Sequence, residues 1–183
     1  MRSQCARSYS VLAALPLVAM FVFGVCRAEV QLKPDPRLTP GDTVTTDIHV
    51  VCQLGYAQQA REITETEKRQ VFRLYGIGAQ NARRYQIDHL ISLALGGSNA
   101  VRNLWPQSLN TQPYNAYRKD ELENKLRELV CAGDLPIRQA QVEISSDWIE
   151  AYKKYLGPPP NTAHKPAANA RPADAVVRDE SAQ

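Results

Sequence analysis

The chain has few residues of the kinds that staple, stack or sense. Its 183 residues include four cysteines, three histidines and two tryptophans, and aromatic residues make up 7% of it. No two cysteines stand at the short spacing of a zinc knuckle, so no structural zinc site is implied. There is no internal repeat. Long apolar runs are missing except for Val11–Val25, and those 15 or so residues fall short of the roughly 20 needed to cross a bilayer. An excess of one charge is missing too. Arg2, Arg7 and Arg27 stand in the first 28 residues, which hold no acid; the remaining 19 basic residues balance 19 acidic ones. The sequence pI of 8.7 therefore misleads. No global field draws in a polyanion, and any contact with nucleic acid must come from a local basic face. With 44% hydrophobic and 22% charged residues, the remainder describes a globular core with polar appendages.

The ends divide from the middle. Residues 1–28 read as a secretory signal: a basic start, a short apolar stretch broken by Pro16 and Gly24, and small residues around Cys26-Arg27-Ala28. This implies export to a periplasm or the outside, with no membrane attachment after cleavage. Residues 29–42 read as a Pro-rich linker. Residues 157–183, opening on Gly157-Pro158-Pro159-Pro160, read as a disordered tail. That leaves one domain over residues 43–156.

Two cysteines remain in the exported part. An oxidising compartment offers them one pairing, Cys52–Cys131, with two separate buried thiols as the alternative.

Spacing predicts the elements. Thr64-Glu65-Thr66-Glu67 is a capping box ahead of a helix near 65–75 that stops at Gly76. His49 lies in Asp47–Val51, which reads as a strand, and is taken as structural. Tyr85, Ile87, His89 and Ile91 alternate like one face of a strand, and Gly96-Gly97-Ser98-Asn99 makes a turn. Val101–Trp105 reads as a short turn or helical piece ended by Pro106. From Asn115 the pattern is helical, with Leu122, Leu126, Leu129 and Val130 in one stripe. Glu121–Lys125 and Glu123–Arg127 stand at i,i+4. Gly133 ends that helix, Pro136 starts another, and Ser146 is positioned to cap a last one carrying Trp148, Tyr152 and Tyr155. The class is α+β. Trp105 and Trp148 read as core anchors.

The chemistry gathers between Tyr85 and Lys119. Asp88-His89 sits in the predicted strand, followed by the Gly-Gly turn, by Asn103-Leu104-Trp105, and by Asn115 with Lys119 one turn later. Phosphodiester hydrolysis needs a proton acceptor for water, which a neutral imidazole supplies near pH 7. It also needs a cation to offset charge on the phosphate. A carboxylate and an amide oxygen are hard ligands suited to such an ion. Neighbouring strand residues face opposite ways, so Asp88 and His89 can serve one site only if the strand ends or bulges there.

These residues resemble the HNH endonuclease family over about 35 positions: Ile87-Asp88-His89-Leu90-Ile91, Gly96-Gly97-Ser98-Asn99, Asn103-Leu104, and Asn115 with Lys119. The resemblance implies a ββα-metal (HNH-like) core with flanking helices, and metal-dependent cleavage of DNA or RNA. It implies one divalent ion, Mg²⁺, with Mn²⁺ or Zn²⁺ as alternatives. By position, His89 is the general base and Asp88 a metal ligand. Asn103 holds the loop, Asn115 is the second ligand, and Lys119 contacts phosphate. The spacing from Asn103 to Asn115 exceeds the family's usual one, which makes Asn110 a rival for the third motif position. Ser92 stands where a proline often follows in the family. Arg84, Arg102, Arg118 and Lys119 cluster near the motif in sequence as candidate nucleic-acid contacts. The second class of function is a non-catalytic module that binds nucleic acid or another partner on the same scaffold. Balanced charge and the irregular third position favour it.

Overall fold

The computed structural model describes residues 32–160. Predicted segments 1–28 and most of 157–183 lie outside that range. Short helices come first: α1 (Ile48–Val51), α2 (Tyr56–Ala60), α3 (Glu65–Leu74) and α4 (Ala79–Ala82). A two-stranded antiparallel sheet follows, β1 (Tyr85–His89) with β2 (Leu104–Ser108), then two long helices, α5 (Ala116–Ala132) and α6 (Ile137–Leu156). Two 3₁₀ turns, Leu93–Leu95 and Val101–Asn103, lie between the strands. The architecture is mixed α+β.

Several elements follow directly from local chemistry. Thr64 Oγ1 accepts from the Glu67 backbone while the Glu67 carboxylate accepts from the Thr64 N–H, closing the capping box that starts α3. Asn115 caps α5, and Gly133 ends it at φ 83°, a backbone conformation that suits glycine. Leu122, Leu126 and Val130 bury the stripe against α6, in a core shared with Trp148 and Ile144. Cys52, after α1, is bonded to Cys131 in the last turn of α5, 79 residues away. Closing a loop of that length stabilises the fold by about 4–5 kcal/mol in the chain-entropy treatment, an upper figure.

Other elements differ from the sequence reading. Asp47–Val51 is not a strand: Asp47 accepts from the His49 N–H and caps α1. Leu104–Ser108 is a strand, and Pro106 lies inside it opposite Ile87. A two-stranded sheet has only edge strands, so a residue without an N–H is tolerated there. The last two predicted helices follow one another within α6 without a loop, divided at Asp147, whose backbone is extended (φ −159°, ψ 90°). Asp147, not Ser146, recaps it, accepting from the backbone of Ile149 and Glu150. The Pro-rich stretch packs rather than links. Thr39 is buried and donates to the Leu104 carbonyl at 2.8 Å, and the Trp148 indole donates to the Leu32 carbonyl at 2.9 Å.

The sheet separates two environments. Ile87 and Leu104 bury one face with Val71 of α3. Asp88, beside Trp105 on the other face, meets α5. Among the described residues no helix is long and apolar enough to cross a membrane.

Candidate active site at the end of strand β1

The loop joining the strands sets the site's frame. A Cβ on Gly97 would come within 1.8 Å of the Ile91 carbonyl oxygen, so only glycine permits this approach. Asn103, fully buried, spans the gap. Its Nδ2 donates to the carbonyls of Ile91 (3.0 Å) and Ser98 (2.8 Å), and its Oδ1 accepts from the Ile91 N–H (3.0 Å) and the Asp42 N–H (3.3 Å). The amide thereby locks the loop, and it also ties in the segment before α1.

Strand β1 keeps regular register through His89, its last residue. Asp88 and His89 leave it on opposite sides, as alternation along a regular strand requires. Asp88 turns towards α5, where Lys119 Nζ lies 2.8 Å from its Oδ2. Lys119 is completely buried, pairs also with Glu123, and donates to the His89 carbonyl at 2.6 Å. Ser92 Oγ donates to the other Glu123 oxygen at 2.8 Å. Asp120, exposed as a residue, turns its carboxyl inward. One oxygen each from Asp88, Asp120 and Glu123 lie within 4.8 Å of one another, a group able to hold a metal ion.

His89 is 2% exposed, and its Nε2 lies 3.0 Å from Asn99 Oδ1. Asn99 Nδ2 in turn donates to the Ala60 carbonyl at the end of α2, at 2.7 Å. Arg61, the next residue, is near enough for its charge to act on both His89 and Asp120. The end of α2, the end of β1 and the first turns of α5 thus share one electrostatic neighbourhood.

Proton affinities follow from that crowding. Burial pushes the His89 imidazole down to about 4, helped by the Arg61 and Lys119 cations and opposed by the Asn99 bond and the Asp88 charge. The ring is neutral at pH 7. Burial of the Asp120 carboxyl pushes it up to about 8, and the charges of Glu123 and Asp88 push the same way. Burial raises Glu123 as well, against the pull of Lys119. For Lys119, burial alone would lower the ammonium, but the Asp88 and Glu123 carboxylates outweigh it and hold it charged.

The sequence-derived residues are only partly brought together. Asp88 and Lys119 touch, and Asn103 frames the loop beside His89. Asn115 is the cap of α5. Its Oδ1 accepts from the Arg118 N–H at 3.2 Å, and its Nδ2, also buried, has no protein partner. Asn110 is exposed in the turn after β2. Of the expected phosphate contacts, Arg84 and Arg102 are exposed, and Arg102 lies 3.8 Å from Asp42. The other two are buried. Arg118 is bound to Glu121 at 3.0 Å, and Lys119 is closed off by carboxylates. Their helix face turns inward, so neither ion presents itself to a phosphate.

Sequence reasoning missed Asp120, Glu123, Asn99 and Arg61. The i,i+4 pattern had given Glu123 to Arg127. Instead Lys119 takes it, and Arg127 donates to the Val51 and Gln53 carbonyls. The signal available was the run Lys119-Asp120 with Glu123 one turn later, three chargeable groups at the start of a helix expected to adjoin the strand. No family model matches this chain, and no curated protein or solved structure matches it either.

Proposed function

We propose that the protein is a metal-dependent phosphodiesterase of the HNH type, cleaving DNA or RNA with His89 as general base. The observation that carries this reading is the meeting of Asp88, at the end of β1, with Asp120 and Glu123 of α5, next to a neutral His89. An oxygen-only donor set suits Mg²⁺ or Mn²⁺ better than Zn²⁺, which favours nitrogen and sulfur. Asp88, Asp120 and Glu123 would hold the ion. When bound, the ion stabilises charge developing on the phosphate and the leaving oxygen.

The chain's own residues supply the rest. His89 accepts a proton from the attacking water. Lys119 stays charged, offsets the repulsion between the Asp88 and Glu123 carboxylates, and through the His89 carbonyl fixes the strand end against α5. Arg61, Arg84 and Arg102 are the exposed cations proposed to meet the substrate backbone. Residues 1–28 are the ground for proposing that this happens after export.

The burial of His89 and the seating of Lys119 amid the carboxylates favour a second reading, a non-catalytic module on the same frame. Plasmid and RNA cleavage with Mg²⁺, Mn²⁺, Zn²⁺ or EDTA separates the two. Metal-dependent nicking by the wild type, lost in a folded His89→Ala variant, supports the nuclease. A folded wild type that cleaves neither polymer with any of the metals supports the module.

A further inference from the structure

We infer that Asn99 is a positioning residue that fixes which nitrogen of His89 acts as the base, leaving Nδ1 to take the proton. The inference rests on the nuclease reading above and adds the atom and its support.

Which nitrogen carries the hydrogen follows from what each group is able to donate. Asn99 Nδ2 lies 2.7 Å from the Ala60 carbonyl oxygen, which only accepts. Flipping the amide would set two acceptor oxygens against each other, so the nitrogen stays there. Ala60 ends α2, where helix carbonyls lack partners within the helix, and the amide supplies one. The Asn99 oxygen is then the atom that faces His89 Nε2, at 3.0 Å. An amide oxygen also only accepts, so Nε2 must carry the hydrogen. To act as a base the ring must hold one hydrogen and not two. With Nε2–H committed to Asn99, the lone pair is on Nδ1. The tautomer is set from α2, through a side chain whose hydrogen bonds go to Ala60 and His89.

The test uses ¹⁵N-histidine-labelled protein and long-range proton–nitrogen correlation at neutral pH. His49→Gln and His164→Gln assign the three histidines. His89 is expected as the Nε2–H tautomer in the wild type and in Asn99→Asp, whose carboxylate accepts the same hydrogen. In Asn99→Ala the two tautomers should mix. Plasmid cleavage with Mn²⁺ should then lose kcat by about tenfold to a hundredfold with KM nearly unchanged, within the span of a general base's contribution. Asn99→Asp should keep most of the rate. An Nδ1–H tautomer in the wild type overturns the inference, as does Asn99→Ala with wild-type tautomer and rate. If Asn99→Ala does not fold, loss of the Nε2–H tautomer in Asn99→Asp overturns it equally. The tautomer is read without metal or substrate. A wild type with the expected tautomer that cleaves neither DNA nor RNA therefore overturns the nuclease reading, and with it the catalytic role of Asn99, while the Asn99–His89 geometry stands.

Discussion

Lys119 and His89 meet through a backbone atom: the buried ammonium donates to the His89 carbonyl at 2.6 Å, while the imidazole points away to Asn99. One residue therefore faces α5 with its main chain and α2 with its side chain. His89 is held from both sides of the strand, and the acidic group is tied to its backbone by the Lys119 cation.

Lys119→Met should reveal how much that cation contributes. It removes the ammonium that pairs with Asp88 and Glu123 and leaves buried carboxylates uncompensated, a change that typically costs about 3–5 kcal/mol. The loss should be largest at neutral pH and shrink as pH falls and the raised Glu123 carboxyl takes up its proton. Urea unfolding at pH 5 and 7.5 checks this, and equal losses at both would contradict it.

Asn103→Ala should destabilise by more than about 3 kcal/mol, because each buried group left unpaired costs roughly 1–3 kcal/mol and the amide serves four. Asn103→Asp should be nearly as harmful, since it turns a carboxylate oxygen towards the Ile91 and Ser98 carbonyls. Thermal and urea melts decide it; a loss under about 1 kcal/mol would show that the loop closes without the amide.

Stability and metal affinity should both depend on pH. His89 protonates near its ordinary value of 6.5 when unfolded but near 4 when folded. Between those values the unfolded chain binds the extra proton. Stability is therefore fully present above 6.5 and falls as pH drops through 4, by about 3 kcal/mol in total. His89→Gln should flatten that slope. Asp120 works in the opposite sense: it keeps its proton up to about 8 when folded, so its contribution is present below 3.8 and is lost as pH rises through 8. A bound divalent ion must displace that proton. Mn²⁺ affinity should therefore climb with pH up to about 8 and level off above it, and Asp120→Asn should remove the climb. Calorimetry at several pH values measures both.

Local rules made much of the frame legible. Capping at Thr64 and Asn115, the stop at Gly133 and the stripe on α5 each depend on residues within a few positions of one another. The pairing of Cys52 with Cys131 was one of two readings once residues 1–28 are set aside, and the structure selects it. Strand β2 was not legible, because Pro106 argues against a strand everywhere except at an edge. Nor was α1, whose four residues are β-branched or neutral and become helical only under the Asp47 cap.

For this protein the sequence by itself determined where α3 and α5 begin and end, offered Cys52 and Cys131 as a pair, and set Asp88-His89 a few residues before a glycine turn. Each follows from bonding between near neighbours or from counting. Only the tertiary structure decided that Lys119 faces inward, that Asp120 and Glu123 stand by Asp88, and that Asn99 grips His89 from the end of α2. Those facts depend on which face of α5 meets the sheet and which loop crosses the strand end. Helical and strand periodicities fix a side chain's direction relative to its own element, and leave open what will be packed against it.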